Sequence, residues 1–458
     1  MTTLPTAPES PALSASHDKI REGDQFAQDP RREAPDSQSE GFYGWRVVTA
    51  AFVVAVFGWG TGFYGPPVYL EVVRQAQGWP IALVSGAVTL HFLVGLALIP
   101  NLPALYRHFG LPMVTLAGGA VMACGILGWS SANAPWQLYV AAVLSGAGWS
   151  ALGAVAINAI VAPWFATKRP LALGVAFNGG SVGGVIFSPL WVALIDWVGF
   201  PMAALAVSVV MLVTLGALAV FVLGRTPRSL RQAPDGVSFD PSTMPMEGAT
   251  IPERPAIRLN LFRDRSFLTL CIGMTLALFA QTGLVAHLVS VLAPVLGRQG
   301  AGLAAGGSGV AAVVGRLAVG WRGSSRSNWR VIASLSLTAQ AVGCGVLILS
   351  QGTHPAVLVV GVVLFGLGVG NAISVPPVIA NLEFPQTDVT RAVALIVAIS
   401  QGAYALAPAA FGVLRQAWSD QAVFIAAVVI QLAAIVAYLS GGQGGRSECS
   451  DEMKPGQR

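Results

Sequence analysis

Apolar residues in this chain come in long blocks, separated by short turns of glycine, proline and charged residues. Twelve blocks stand out, at Val47–Leu70, Ile81–Pro100, Met113–Trp129, Leu138–Val161, Leu171–Ile195, Met202–Leu223, Phe267–Leu292, Ala301–Trp321, Val331–Leu349, Ala356–Ala380, Ala392–Val413 and Val423–Leu439. Each is near the ~20 residues that a helix needs to cross the hydrocarbon of a bilayer. The turns carry backbone breakers, such as Gly78-Trp79-Pro80, Asn133-Ala134-Pro135 and Gly199-Phe200-Pro201. One connection differs: Gly224–Arg265 is long, polar, basic and proline-rich, and it divides the blocks six and six. The pattern predicts an all-α membrane protein with a six-helix bundle over residues 42–223, a linker over 224–265 and a second six-helix bundle over 266–440. The tail at 1–41 is rich in Pro, Ser, Asp and Arg and lacks an apolar core, so it reads as disordered and not as a signal peptide. A second polar tail covers 441–458.

Composition agrees with this pattern. Of 458 residues, 54% are hydrophobic and 10% charged, against about 25% charged in a soluble domain. The net charge of +5 does not mark a nucleic-acid binder, because the basic residues are spread over loops. With the N-terminus inside, internal loops hold Arg107, Lys168, Arg169, Arg322, Arg326, Arg330 and Arg391, and the linker adds Arg225, Arg228, Arg231, Arg254, Arg258, Arg263 and Arg265. External loops hold only Arg74, Arg298 and Arg415. That asymmetry predicts a multi-pass protein of the cell (inner) membrane with both termini cytoplasmic. Cys124, Cys271, Cys344 and Cys449 form no CxxC, so neither a disulfide framework nor a metal site is expected. A nucleotide-binding glycine loop, HExxH and a catalytic triad are all missing. The expectation is therefore a gradient-driven protein without a cofactor, and not an enzyme.

The two halves look related. Ser145, Trp164 and Ala172 correspond to Phe365, Phe384 and Ala392 at one offset of 220, and Gly95 matches Gly315 at the same offset. A parallel repeat of this kind puts a site between the halves. The pairs Gly179/Gly183, Gly180/Gly184 and Gly366/Gly370 let helix backbones approach, either as static packing or as surfaces that rock. Paired prolines break two blocks, at Pro66-Pro67 and Pro376-Pro377. They read either as gates in discontinuous helices or as kinks tolerated in lipid.

One charge lies well inside an apolar block, and it is Arg316. A cation at membrane depth costs at least roughly 2.5–3.5 kcal/mol, and intramembrane ions mark function by default. A bound anion would offset the cost. The bland alternative is snorkelling, since Arg322 lies six residues on, about 9 Å along a helix. No Asp or Glu is expected at depth.

Two motifs carry a family resemblance. The first is Glu40-Gly41-Phe42-Tyr43-Gly44-Trp45, just before the first block. The second runs from Trp164-Phe165 through Lys168-Arg169, Leu171-Ala172 and Gly174 to Asn178, Gly179, Ser181 and Gly183. With these the chain resembles a major facilitator, and more closely the monocarboxylate porter and oxalate/formate antiporter branch. The resemblance implies two pseudo-symmetric bundles, alternating access and a small organic anion as substrate. It covers about Glu40 to Ser440. There are departures. The loop Pro103 to Gly110 lacks the family's first glycine and its aspartate, and Ala312 stands where porters place an acid one turn before the arginine. Lysine is missing from the first block and from Ala392–Val413. One cation balances one carboxylate, which favours a monocarboxylate over a dicarboxylate.

Other polar groups on apolar blocks complete the candidates. Tyr64, Asn178, Gln281, Asn371, Gln401 and Tyr404 are expected to bind substrate with Arg316; the amides could instead bridge helices, and the tyrosines could instead serve packing or the interfacial belt. Asn158 and Trp59 are weaker candidates of the same kind. His91 and His287 could carry a co-transported proton, or could be hydrogen-bonded packing residues. The expected function is secondary transport of a small monocarboxylate, by proton symport or anion exchange, in a carrier that works as a monomer. The rivals are an exporter of amphipathic drugs or metabolites, and a transporter-like receptor that binds without moving its ligand.

Overall fold

The structure, a computed structural model, describes residues 42–236, 259–322, 327–350 and 354–441. The two tails with Cys449, the middle of the linker with Arg254 and Arg258, and Arg326 lie outside the described residues. All regular structure among the described residues is helical, and eleven stretches are long and apolar enough to cross a membrane.

Helices α1 (Gly44–Gly62) and α2 (Gly65–Gln77) form the first stretch. It breaks at Phe63-Tyr64 because Pro66 and Pro67 open α2, where the missing N–H groups cost nothing. Then come α3 (Ile81–Leu98), α4 (Leu102–Phe109), α5 (Leu111–Ser131), α6 (Pro135–Leu152), α7 (Ala154–Val161), α8 (Arg169–Val198) and α9 (Phe200–Leu218). Beyond the linker lie α10 (Arg265–Arg322), α11 (Trp329–Leu349), α12 (Pro355–Val369), α13 (Asn371–Glu383), α14 (Gln386–Ala405), α15 (Ala407–Ala417) and α16 (Asp420–Ser440).

The 58 residues of α10 are not one rod. At Gly297 the backbone swings to φ 69°, ψ 166°, a conformation that glycine alone adopts readily. The predicted connection between Leu292 and Ala301 thus shrinks to a turn at one residue. Pro376 and Pro377 also differ from expectation, for they lie inside α13 and the break comes earlier, at Gly370. The Ser374 hydroxyl donates to the Gly370 carbonyl at 3.0 Å, which helps satisfy backbone around the interruption.

Glycines set the closest approaches. A Cβ at Gly179 or Gly183 on α8 would lie 2.2 Å from the Phe52 carbonyl and 2.5 Å from the Val56 carbonyl of α1. Residues 220 apart make matching contacts. Gly95 and Gly146 join α3 to α6, while Gly315 and Gly366 join α10 to α12, all against backbone carbonyls. Large apolar side chains such as Val213, Leu317 and Leu349 are exposed, as a lipid-facing surface requires. Exposed tryptophans sit at helix ends, with Trp45 and Trp321 towards one side and Trp136, Trp197 and Trp418 towards the other, which matches interfacial belts.

The expectation of no buried acid fails at Glu71. Helix α2 runs seven residues past the predicted end at Leu70, and Glu71 is 2% exposed. It is held by Arg74 at 3.1 Å and by Gln75. Two further charges have buried side chains, Arg330 with Glu383 and Arg415 with Asp420. Each has an opposite charge, as burial demands.

Candidate functional site

The site forms where α8 meets the second part of α10. The two helices run antiparallel, and their contacts can be followed in register. Gly302 faces Ser188 and Val192, Gly306 faces Val185 and Pro189, and Gly309 faces Ser181 and Val185. Arg316 comes next. Its Nη1 donates to Asn178 Oδ1 at 3.2 Å and to Ser181 Oγ at 3.4 Å, while Nε donates to the Gly370 carbonyl at 3.3 Å. One turn further on, a Cβ at Gly320 or at Gly174 would meet nothing within 4 Å. In this register Arg316 makes the last of these contacts, and Gly174 and Gly320 beyond it are exposed.

The other end is sealed. The Ala409 N–H donates to Thr89 Oγ1 at 2.9 Å and the Ala82 N–H to Gln416 Oε1 at 3.2 Å, joining α3 to α15. Ser85 sits where a Cβ on Gly412 would fall, and Arg298 pairs with Asp196.

The structure brings together three of the residues expected from the sequence: Arg316, Asn178 and Tyr64, which lies within electrostatic reach of the guanidinium. Gly180 and Gly184 make this possible. A Cβ at either would strike the ring of Trp59, at 3.0 Å, or of Tyr64, at 2.5 Å, so bare backbone is the floor for both aromatics. From Tyr64 a series of ring contacts leads through Phe63 and Phe92 to Tyr404, with centroids 5.1–6.0 Å apart. Gln401 lies one turn before Tyr404 on α14. Two partners of Arg316 escaped the sequence reading, Ser181 and the Gly370 carbonyl. Ser181 lies three residues after Asn178, on the same helix face, so the spacing could have found it. The carbonyl has no sequence signal.

Other candidates lie elsewhere. Asn371 donates to Ser336 Oγ at 3.1 Å and is buried among α10, α11 and α13. Gln281 is buried, and Asn158 donates back to Ala154 of its own helix. His91 is packed within the first half, with Nε2 2.9 Å from the Gly62 carbonyl and Nδ1 2.8 Å from Ser145 Oγ. His287 has Nε2 3.0 Å from the Pro408 carbonyl, while its buried Nδ1 has no partner. It lies by Gly412 at the sealed end, within electrostatic reach of Arg415 and Asp420.

The two family motifs meet at the start of α1. Phe42 packs edge-on against Trp164 and Phe165, and Trp45 against Phe165. Asp235 of the linker accepts from the backbone of Ala166, Thr167 and Lys168 at 2.6–3.2 Å. Desolvation works to raise its carboxyl, but these hydrogen bonds win and hold it below the ordinary 3.8. Among the described residues, no cluster of His, Cys, Asp or Glu could hold a metal ion.

A polytopic helical protein whose intramembrane Arg316 has no acidic partner among the described residues fits a membrane transporter. The chain belongs to the Major Facilitator Superfamily, whose model matches residues 50–382. It is a transporter and not an enzyme. It is 26% identical to the MFS transporter asaE of Aspergillus flavus over 85% of this chain and 84% of that one. It is 28% identical to monocarboxylate transporter 11 of Mus musculus over 63% of this chain and 61% of that one. With monocarboxylate transporter 13 of Bos taurus the identity is 29%, over 64% of each. The matches thus span less than two thirds of these monocarboxylate transporters. The fold is like that of the nucleoside transporter NupG, with TM-score 0.64 at 11% identity over 87% of this chain and 98% of that one. It is equally like a bacterial homolog of the human lysosomal transporter Spinster in an inward-facing and occupied conformation, with TM-score 0.64 at 14% identity over 87% and 97% of the chains.

Proposed function

We infer that this protein carries a small monocarboxylate across the cell membrane by alternating access, with Arg316 as the anion's anchor. One observation carries the reading. Arg316 sits at the junction of α8, α10 and α12/α13, and among the described residues no carboxylate lies within ion-pair distance of it. Its Nη2 makes no hydrogen bond there, so a carboxylate can dock side-on across Nη1 and Nη2.

The turn at Gly297 supports counting α10 as two crossings, hence twelve in two six-helix halves. The matching glycine contacts at an offset of 220 support their pseudo-symmetry. With the basic loops inside, the sealed end is external and the end beyond Arg316 opens to the cytoplasm. Rocking of the halves about the contact between α8 and α10 would alternate access. In this reading Tyr64 and Tyr404 would flank the anion's path, and the breaks at Phe63-Tyr64 and Gly370 would be its hinges. For a coupled proton, His287 is a better candidate than His91, because it lies at the seal with one nitrogen free.

The test is uptake in proteoliposomes of formate, acetate, pyruvate, lactate and benzoate, with and without an inward proton gradient. Entry of at least one acid that stops in Arg316→Gln supports the reading. Uptake of none, or uptake indifferent to Arg316, sinks it in favour of the exporter of amphipathic compounds. Gradient-driven accumulation lost in His287→Ala but kept in His91→Ala assigns the proton.

A further inference from the structure

The protein supplies Arg316 with acceptors of its own, and that bears on how the transport cycle closes. Two of them, Asn178 Oδ1 and Ser181 Oγ, come from α8 in the first half, and the third, the Gly370 carbonyl, comes from the second half. All are neutral. The contact is therefore a clasp between halves that needs no carboxylate. We propose that Asn178 and Ser181 take the place of the cargo's carboxylate, so that the carrier reorients without cargo and performs net transport, not obligatory exchange. This rests on Arg316 being the anion site.

The physical reason lies in what closing the open end must do. Gly174 and Gly320 have open space around them, and closing would bring those surfaces together. Arg316, now half-buried, would be enclosed between α8 and α10. An enclosed cation with no acceptor blocks that step. A carrier whose arginine has only its cargo to bind must therefore carry cargo both ways. Here Nη1 and Nε keep protein acceptors from both halves, so closing strands no charge.

The geometry also limits how firmly the clasp holds. At 3.2–3.4 Å these are long hydrogen bonds to uncharged groups. A carboxylate makes shorter and stronger ones with a guanidinium, so an arriving anion displaces Asn178 and Ser181 and opens the clasp. Both residues are thus positioning residues for the return step. They come from the motif that runs Asn178, Gly179, Gly180, Ser181, and the intervening glycines bring α8 close to α1.

Two readouts test the proposal on the full-length protein. In the first, Ser85→Cys is placed in a background free of other cysteines, and its labelling by a membrane-impermeant thiol reagent is timed in anion-free buffer. Ser85 is buried in the seal, so labelling reports opening of that end. We expect steady labelling with Asn178 and Ser181 in place, and labelling slowed about tenfold or more in the Asn178→Ala/Ser181→Ala background. Failure to label with the clasp intact, or equal rates in both backgrounds, overturns the proposal. In the second, vesicles are loaded with whichever acid of the panel is transported best. In the double variant, efflux into acid-free buffer should fall at least tenfold further than exchange against external acid does. Equal loss of both, or exchange alone in the parent protein, contradicts it. Labelling needs no substrate, whereas unchanged uptake in Arg316→Gln bears only on the anion site, so the two ideas can fail separately.

Discussion

Two arginines on neighbouring helices solve the problem of a charge in oil in different ways. Arg330, at the start of α11, is 4% exposed and has every terminal nitrogen occupied. Nε and Nη2 fork onto Glu383 at 2.7 Å each, Nη1 donates to Thr269 Oγ1 and the Tyr438 carbonyl, and Nη2 also reaches the Ser266 carbonyl. It ties α10, α11, α13 and α16 together and leaves no donor for a ligand. Arg316 is half-buried, and among the described residues it touches only neutral acceptors and keeps Nη2 free. A saturated ion pair is a staple, whereas an arginine kept short of acceptors is a binding site. Burial alone does not separate them; the partner list does.

The largest effect should fall on the staple. Arg330→Ala strands the Glu383 carboxylate, and breaking a buried pair costs about 3–5 kcal/mol. A sharp drop in thermal midpoint and in folded yield in detergent is the expected readout. Removing the pair together, in Arg330→Met/Glu383→Leu, should recover most of it. Next comes Arg316→Gln, with uptake down about 100-fold, the loss of one or two charge-assisted hydrogen bonds, and little change in thermal midpoint. If this variant unfolds as Arg330→Ala does, the contrast between the two arginines collapses. Gly184→Ala is a milder probe, because the new methyl would push the Tyr64 ring from 2.5 Å. Displacing that ring should raise KM for the anion several-fold with kcat less affected, about 1 kcal/mol by the cost of overpacking.

The smallest effect belongs to Asp235. Its carboxyl is held below the ordinary 3.8 by three backbone N–H groups, so its contribution is present above that value and lost as pH falls through the depressed one. Asp235→Ala should therefore lower the thermal midpoint slightly at neutral pH, with the gap closing in acid. A gap that persists in acid would remove the carboxylate from the account.

Much of this was legible in the sequence, because lipid imposes a simple code. Apolar length marked the eleven stretches that can cross a membrane, two of the expected blocks being joined in α10, and the one charge well inside them without an acidic partner among the described residues was Arg316. The pattern failed where a residue near a block's end had a partner that sequence cannot show. Glu71 lies just past an apolar block, and its burial with Arg74 depends on α2 running on. Arg330 looked like a loop cation, and its pairing with Glu383 spans 53 positions. Asn371 and Asn178 illustrate the same limit within the site. Both are amides on apolar helices, yet only the side chain of Asn178 faces the guanidinium, and that depends on helix rotation, which composition does not encode.

The most direct measurement compares a transported acid with its own neutral amide, benzoate with benzamide for example, in proteoliposomes holding the parent protein or Arg316→Gln. The account predicts that the parent takes up the acid about 100-fold faster than the amide through the protein, and that Arg316→Gln abolishes this preference while remaining folded. Equal protein-mediated uptake of acid and amide by the parent, or an undiminished preference in Arg316→Gln, would contradict it.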